Sequence, residues 1–154
     1  ATQPYIAQID SDLQFYPEDL TPMFEILEHG HYDFVCGSRF ALNSKREKKS
    51  VPGFRSMGNR MLSLYTTFLT QQKFTDILAG IKVWKREVTE SFEFKSDDFC
   101  YEVELPIKAM RCGFRVCDYG VRTAPREHGK SSVNVVRVGL SLLAQIPRFR
   151  WGKI

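Results

Sequence analysis

The sequence predicts an α/β fold in which short apolar strands alternate with amphipathic helices. Apolar runs at residues 5–9, 32–36, 80–85 and 114–121 are separated by segments of helical periodicity. The first two runs and the helix between them make a strand, helix, strand unit of the kind that α/β proteins use. The 154 residues, 43% hydrophobic and 26% charged, also hold enough apolar material for one globular core.

The elements follow in order. Tyr5, Ile6 and Ile9 sit in a strand that runs into the acidic turn at Asp10. Pro17, Glu18 and Asp19 suit a helix start, Met23, Phe24, Ile26 and Leu27 form its apolar side, and Gly30 is its stop. A second strand, 32–36, ends in Gly37-Ser38-Arg39. Residues 43–53 carry Lys45, Arg46, Lys48 and Lys49 before Pro52-Gly53 and read as a basic, mobile loop. A helix is expected over 56–70, a strand over 80–85, a helix over 101–111 stopped by Gly113, and a strand over 114–121. Residues 133–146 are apolar apart from Arg137, and Pro147 is expected to end that segment.

The net charge of +4 favours anionic partners without choosing among them. Cys36, Cys100, Cys112 and Cys117 form no C-x-x-C pair, which fits scattered reduced thiols better than a disulfide framework or zinc site. The sequence contains neither a signal-peptide pattern nor an apolar stretch long enough to cross a bilayer. Its aromatics are not interleaved with basic residues as a stacking surface, which argues against nucleic acid.

Asp10 and Asp12 are the first candidates for chemistry. Two apart in extended backbone, their carboxylates project from one side of the chain, at the carboxyl end of a strand where open α/β sheets place ligands. A hard cation such as Mg²⁺ or Mn²⁺ takes one or two carboxylates and completes its shell with water and phosphate oxygens. A solvated acidic turn at a helix start fits the same two residues. Arg39, Arg55 and Arg126 lie on separate loops, and a planar guanidinium grips two phosphate oxygens at once.

The run Asp10-Ser11-Asp12-Leu13-Gln14-Phe15-Tyr16-Pro17-Glu18 resembles the D-x-D-L-Q-h-x-P-E motif of inverting glycosyltransferases with the GT-A fold. It is most similar to the dolichyl- or polyprenyl-phosphate mannose and glucose synthase group of glycosyltransferase family 2. The resemblance continues in order. Residues 33–40 look like that group's D-h-V-x-G-S-R-F segment, and Arg55 and Asn59 fall where it opens a long helix. Asp76-x-x-x-Gly80-x-Lys82 is similar to its D-x-x-x-G-F-[KR] motif, Glu104 with Lys108 to its acidic helix, and Arg126-x-x-Gly129-x-Ser131 to its R-x-x-G-x-S loop.

The resemblance implies the C-terminal part of a GT-A fold, with a mixed sheet flanked by helices. It implies transfer of a hexose from a nucleoside-diphosphate sugar to a polyprenyl phosphate, with Mg²⁺ or Mn²⁺ held by Asp10, Asp12 and Gln14. Arg39, Arg55, Arg126 and Ser131 would bind the acceptor phosphate, and Asp76 and Glu104 are the candidate catalytic carboxylates. Glu104 equally suits a helix pair with Lys108, four residues on. Residues 1–132 would form the catalytic and acceptor-side part, working at the cytoplasmic face of a membrane. Residues 133–154 would form an amphipathic helix and basic tail, either interfacial or an ordinary core helix.

Members of the group carry a nucleotide-binding half ahead of the D-x-D, whereas this sequence opens almost on the D-x-D strand, so a fragment, inactive in isolation, is expected. Two other readings compete with the lipid acceptor. One is transfer to a saccharide hydroxyl, which would need a carboxylate base. The other is a non-catalytic domain that binds anionic lipid or nucleic acid through its basic loop and tail.

Overall fold

The computed structural model describes residues 3–47, 53–125 and 135–152. A four-stranded mixed sheet forms its centre. Its strands are β1 (Tyr5–Ile9), β2 (Phe34–Ser38), β4 (Ile81–Lys85) and β5 (Val116–Gly120), in the order β1-β4-β2-β5. A strand of two residues, β3 (Lys45–Arg46), pairs in parallel with β6 (Arg122–Thr123) in a second, small sheet. The helices are α1 (Leu20–Glu28), α2 (Gly53–Thr70), α3 (Arg86–Glu90), α4 (Tyr101–Arg111) and α5 (Val135–Trp151).

The expected strand, helix, strand unit is present as β1, α1 and β2, but its two strands do not touch. β4 lies between them and runs antiparallel to both, while β5 runs parallel to β2. Ile81, Lys82, Val83 and Trp84 are all buried, as a central strand covered on both faces requires. Alternation then sorts the side chains. Val35, Ile81 and Val83 meet Met23 and Leu27 of α1 on one face. Phe34, Cys36 and Trp84 meet α2, α4 and α5 on the other, through Leu62, Val103, Ile107, Leu142 and Ile146. All four cysteines are free.

Two expectations about the chain's course change. Within the predicted loop 43–53, Lys45 and Arg46 form β3; residues 48–52 lie outside the described residues. Pro147 does not end α5, which continues to Trp151. Proline removes the N–H that would bond to the Leu143 carbonyl, and the Tyr65 hydroxyl of α2 donates to that carbonyl instead, at 3.5 Å. The inner face of α5, Leu142, Ile146 and Phe149, belongs to the core shared with α2 and α4. Gly30 and Gly113, the expected stops of α1 and α4, both have positive φ, 73° and 89°. No helix among the described residues is long and apolar enough to cross a membrane.

Candidate active site

The carboxyl ends of β1 and β2 and the start of β4 converge at one end of the sheet. The Asp10 N–H donates to the Gly80 carbonyl at 2.8 Å, continuing the β1–β4 ladder one residue past the strand. This brings the Asp10 carboxylate onto the Cα of Gly80, where any side chain would collide with it. A Cβ at position 80 would push the Asp10 carboxylate aside. The next acid is held by a local turn: the Asp12 carboxylate accepts the Gln14 N–H at 3.1 Å, and Leu13 between them has the left-handed φ of 59°.

The acidic loop is tied to two neighbouring segments. The Gln14 carbonyl accepts the Ala124 N–H at 3.0 Å, and Phe15 forms an isolated bridge with Thr123. The Tyr16 hydroxyl donates to Glu47 at 2.7 Å. Arg122 lies 4.8 Å over the Tyr16 ring and pairs with Asp19 at 2.8 Å.

Asp76 is placed from behind by α2, whose inner face carries small hydroxyls. The Ser63 hydroxyl accepts the Ile77 N–H at 3.0 Å, and the Thr67 hydroxyl accepts the Phe74 N–H at 2.9 Å. Thr75 donates to Asp118 at 2.6 Å. So fixed, the fully buried Asp76 carboxylate takes the Arg39 fork, Nε to Oδ2 at 2.6 Å and Nη2 to Oδ1 at 2.8 Å, and also the Arg39 backbone N–H at 3.0 Å.

Beneath Asp10 lies a second buried pair. Lys82 stands opposite Gln8 of β1 and Cys36 of β2, pointing toward α4. There its ammonium donates to Glu102 and, at 2.6 Å, to the Ala79 carbonyl, while the Gln8 amide donates to the other Glu102 oxygen. Burial opposes the Glu102 charge, but Lys82, helped by Tyr101 and Gln8, holds its carboxyl below the ordinary range. Burial, then Glu102 and Asp10, push the Tyr101 phenol up.

Four carboxylates therefore crowd around two cations, Arg39 and Lys82. Asp10 as a residue is exposed, but its carboxylate is packed on the Gly80 backbone. That desolvation, followed by the charges of Glu102 and Asp12, pushes its carboxyl up to about 6. Such an excess of negative charge suits a divalent cation. The described residues contain no group of three or more His, Cys, Asp or Glu side chains able to hold a metal, so the fit is to a cation that takes two carboxylates and draws its other ligands from water and phosphate.

The description of glycosyl transferase family 2 matches residues 1–92, more than half of the chain and the whole of this cluster except Glu102 and Tyr101. The chain belongs to glycosyl transferase family 2. Among family 2 relatives, it is 26% identical over 132 residues to the polyprenol monophosphomannose synthase of Mycolicibacterium smegmatis, covering 84% of this chain and 49% of that one. It is 27% identical to glycosyltransferase AglJ of Haloferax volcanii, covering 94% of this chain and 47% of the relative. The chain thus spans about half the length of these relatives. The glucosyl-3-phosphoglycerate synthase of Mycobacterium tuberculosis, solved with Mn²⁺ and UDP-glucose, superposes with a TM-score of 0.68 at 17% identity, covering 100% of this chain and 51% of that one. The fold is therefore GT-A, its mixed sheet flanked by helices.

In this family 2 chain, the structure brings Asp10, Asp12, Arg39 and Asp76 together, with Gln14 in the same loop. It does not bring Glu104 to them. Glu104 is fully buried, paired with Lys108 at 2.6 Å, and accepts the Lys95 and Ser96 N–H groups, each at 2.8 Å, so it fastens the loop before α4. Arg55 lies in the first turn of α2 and makes no ion pair with a described residue. Arg126 and Ser131 lie outside the described residues. Sequence reasoning missed Glu102 and saw Lys82 only as part of a motif. The available signal was a lysine inside the apolar run Ile81-Lys82-Val83-Trp84, which burial obliges to find a carboxylate.

Proposed function

We propose that the chain carries the cation-holding and acceptor-side part of a hexosyltransferase. The full-length enzyme would move a sugar from a nucleoside diphosphate to a polyprenyl phosphate at the cytoplasmic face of a membrane. The observation that carries this reading is how the carboxylates are used. Asp76 is committed to Arg39, Glu102 to Lys82 and Glu104 to Lys108, while Asp10 and Asp12 stand together at the end of β1. A hydroxyl acceptor needs a carboxylate able to take its proton. A phosphate acceptor is already ionised near neutral pH and needs alignment and charge compensation. The distribution of ion pairs favours the phosphate. The names of two relatives, a polyprenol monophosphomannose synthase and the undecaprenyl-phosphate mannosyltransferase of Micrococcus luteus, support the same choice.

In the proposed reaction an acceptor phosphate oxygen attacks the anomeric carbon from the side opposite the leaving group. The bond to the nucleoside diphosphate breaks, the diphosphate departs with the electron pair, and the configuration inverts. Mg²⁺ or Mn²⁺ held by Asp10 and Asp12, with Gln14 beside them, would neutralise the charge growing on that diphosphate. Arg39, fixed by Asp76, keeps positive charge within reach of both acids. Arg55, Arg126 and Ser131 are proposed contacts of the acceptor phosphate. Asp76 acts by orienting Arg39 rather than by moving a proton.

The test is Asp12→Asn in the full-length protein. Metal-dependent transfer to polyprenyl phosphate is expected to fall by at least roughly a hundredfold, with the thermal unfolding midpoint unchanged. A variant as active as the parent would sink the reading, and so would a parent that prefers a saccharide hydroxyl under the same donor.

A further inference from the structure

Ser38-Arg39 and Thr75-Asp76 lie side by side, although 37 positions separate them along the chain. Two contacts join them. Asp76 takes the Arg39 fork, and one residue earlier on each segment the Ser38 and Thr75 hydroxyls are bonded at 2.6 Å. The Ser38 oxygen also accepts the Phe40 and Ala41 N–H groups, at 3.1 and 3.0 Å, and so folds the turn that carries Arg39. In each pair the first residue gives the second its direction.

Both pairs are anchored by one side chain of β5. Asp118 Oδ2 accepts the Thr75 N–H at 2.5 Å and the Thr75 hydroxyl at 2.6 Å. With the Thr75 proton given to Asp118, the bond between the two hydroxyls has one direction left: Ser38 donates and Thr75 accepts. Ser38 thereby keeps both lone pairs for the Phe40 and Ala41 N–H groups, and every donor in the chain of bonds is used. Gly120, two residues along and on the same face of β5, meets the same turn. A Cβ there would lie 2.6 Å from the Ser44 backbone nitrogen, and the Ser44 hydroxyl donates to the Arg39 carbonyl at 2.9 Å. The other Asp118 oxygen, Oδ1, is buried and accepts no hydrogen bond among the described residues. A carboxyl satisfied on one side only is costly, and its use here is to hold Thr75. Burial pushes that carboxyl up, against the bonds from Thr75, so a neutral acceptor of the same shape can take its place.

We infer that Asp118 is a positioning residue for Arg39: through Thr75 and Ser38 it fixes both segments that carry the Arg39–Asp76 fork, and with them the aim of the guanidinium. Its task ends at Thr75 and Ser38, and it touches no reacting group. The inference rests on the proposed transfer for its activity readout, and goes beyond it by placing part of the control of the site on β5.

Transfer kinetics and amide hydrogen exchange of the full-length protein test this together. Asp118→Ala is expected to lower kcat/KM for polyprenyl phosphate by at least roughly tenfold and to speed exchange at residues 38–41 and 75–76. Asp118→Asn, which keeps an acceptor for both Thr75 donors, is expected to restore the parent's rate and protection. Thr75→Val is expected to behave like Asp118→Ala, and Thr75→Ser like the parent. In an Arg39→Lys background Asp118→Ala is expected to cost less than about twofold, because the fork that it aims is gone. A loss through general destabilisation would instead be equal in both backgrounds. An alanine variant that transfers like the parent overturns the inference, as does a loss that asparagine fails to restore or that recurs in full beside Arg39→Lys. If Asp118→Ala does not fold, Thr75→Val against Thr75→Ser carries the same comparison. The two proposals fail separately. A parent without transfer sinks the reaction, whereas exchange at residues 38–41 left unchanged by Asp118→Ala sinks the positioning role whether or not the parent transfers.

Discussion

At one end of β2 and β4, Asp33 receives both Lys85, at 2.7 Å, and Arg115, at 3.1 Å, so two cations serve one carboxylate. At the other end Asp10, Asp12, Asp76 and Glu102 share Arg39 and Lys82. Both clusters lie at ends of the same strands, but they differ in the balance of charge and in burial, Arg115 being half exposed and Lys82 buried. Burial disfavours the Asp33 charge, but hydrogen bonds from Arg115 and Lys85 hold its carboxyl well below the usual range. Asp10 is pushed up to about 6. The Asp33 end stabilises the fold, whereas at the other end neighbouring carboxylates raise the cost of ionising Asp10.

The largest expected effect comes from worsening the imbalance. Lys82→Met leaves Glu102 buried and unpaired near Asp10, and should cost about 3–5 kcal/mol in urea unfolding. Combining it with Glu102→Gln should restore most of that loss, and a single variant as stable as the parent would show that the pair is dispensable.

At the balanced end, Asp33→Asn should cost about 1–2 kcal/mol at neutral pH. Because the folded-state pKa of Asp33 is depressed, its contribution is complete above the ordinary carboxylate range of about 4 and is lost as the pH falls through the folded value. The stability curves of parent and variant should therefore meet only in strong acid; a gap that closes between pH 6 and 8 would contradict the assignment.

The smallest effect has the opposite sign. The raised pKa of Asp10 means that its ionised form costs stability above pH about 6 and costs nothing below its ordinary value of 3.8. Asp10→Asn should thus stabilise the metal-free chain by up to ~1 kcal/mol near pH 8, after allowance for solvent screening, with no gain below pH about 4. Calorimetric unfolding at the two pH values decides it, and a variant less stable than the parent at pH 8 would reverse the comparison.

Residues 5–9 and 101–111 were legible in the sequence to the residue, because an apolar strand that meets an acid and an amphipathic segment that meets a glycine leave little choice of boundary. Asp10, Asp12, Arg39 and Asp76 were legible as members of one site. That Arg39 and Asp76 hold each other was not, because the bond spans 37 positions and depends on the loop that α2 fixes from behind. Glu102 and Glu104 show the limit most clearly. They lie two apart on one buried helix and each meets a lysine, yet they face opposite neighbourhoods, and only the register of Lys82 against Gln8 tells which one attends Asp10. A helix over residues 56–70 was visible as periodicity. Periodicity, however, says that a helix has an apolar side and not which way that side faces.

The small β3–β6 sheet bears on how the acidic loop can be altered. Because Gln14 bonds to Ala124, Phe15 bridges to Thr123, Tyr16 bonds to Glu47 and Glu47 to the Thr123 carbonyl, the acidic loop shares its shape with two segments far along the chain. Residues 10–16 are therefore no interchangeable cassette. A graft of that stretch from a relative imports its acids but leaves their spacing to the host, and the unit that keeps both together is the acidic loop with residues 44–47 and 121–125.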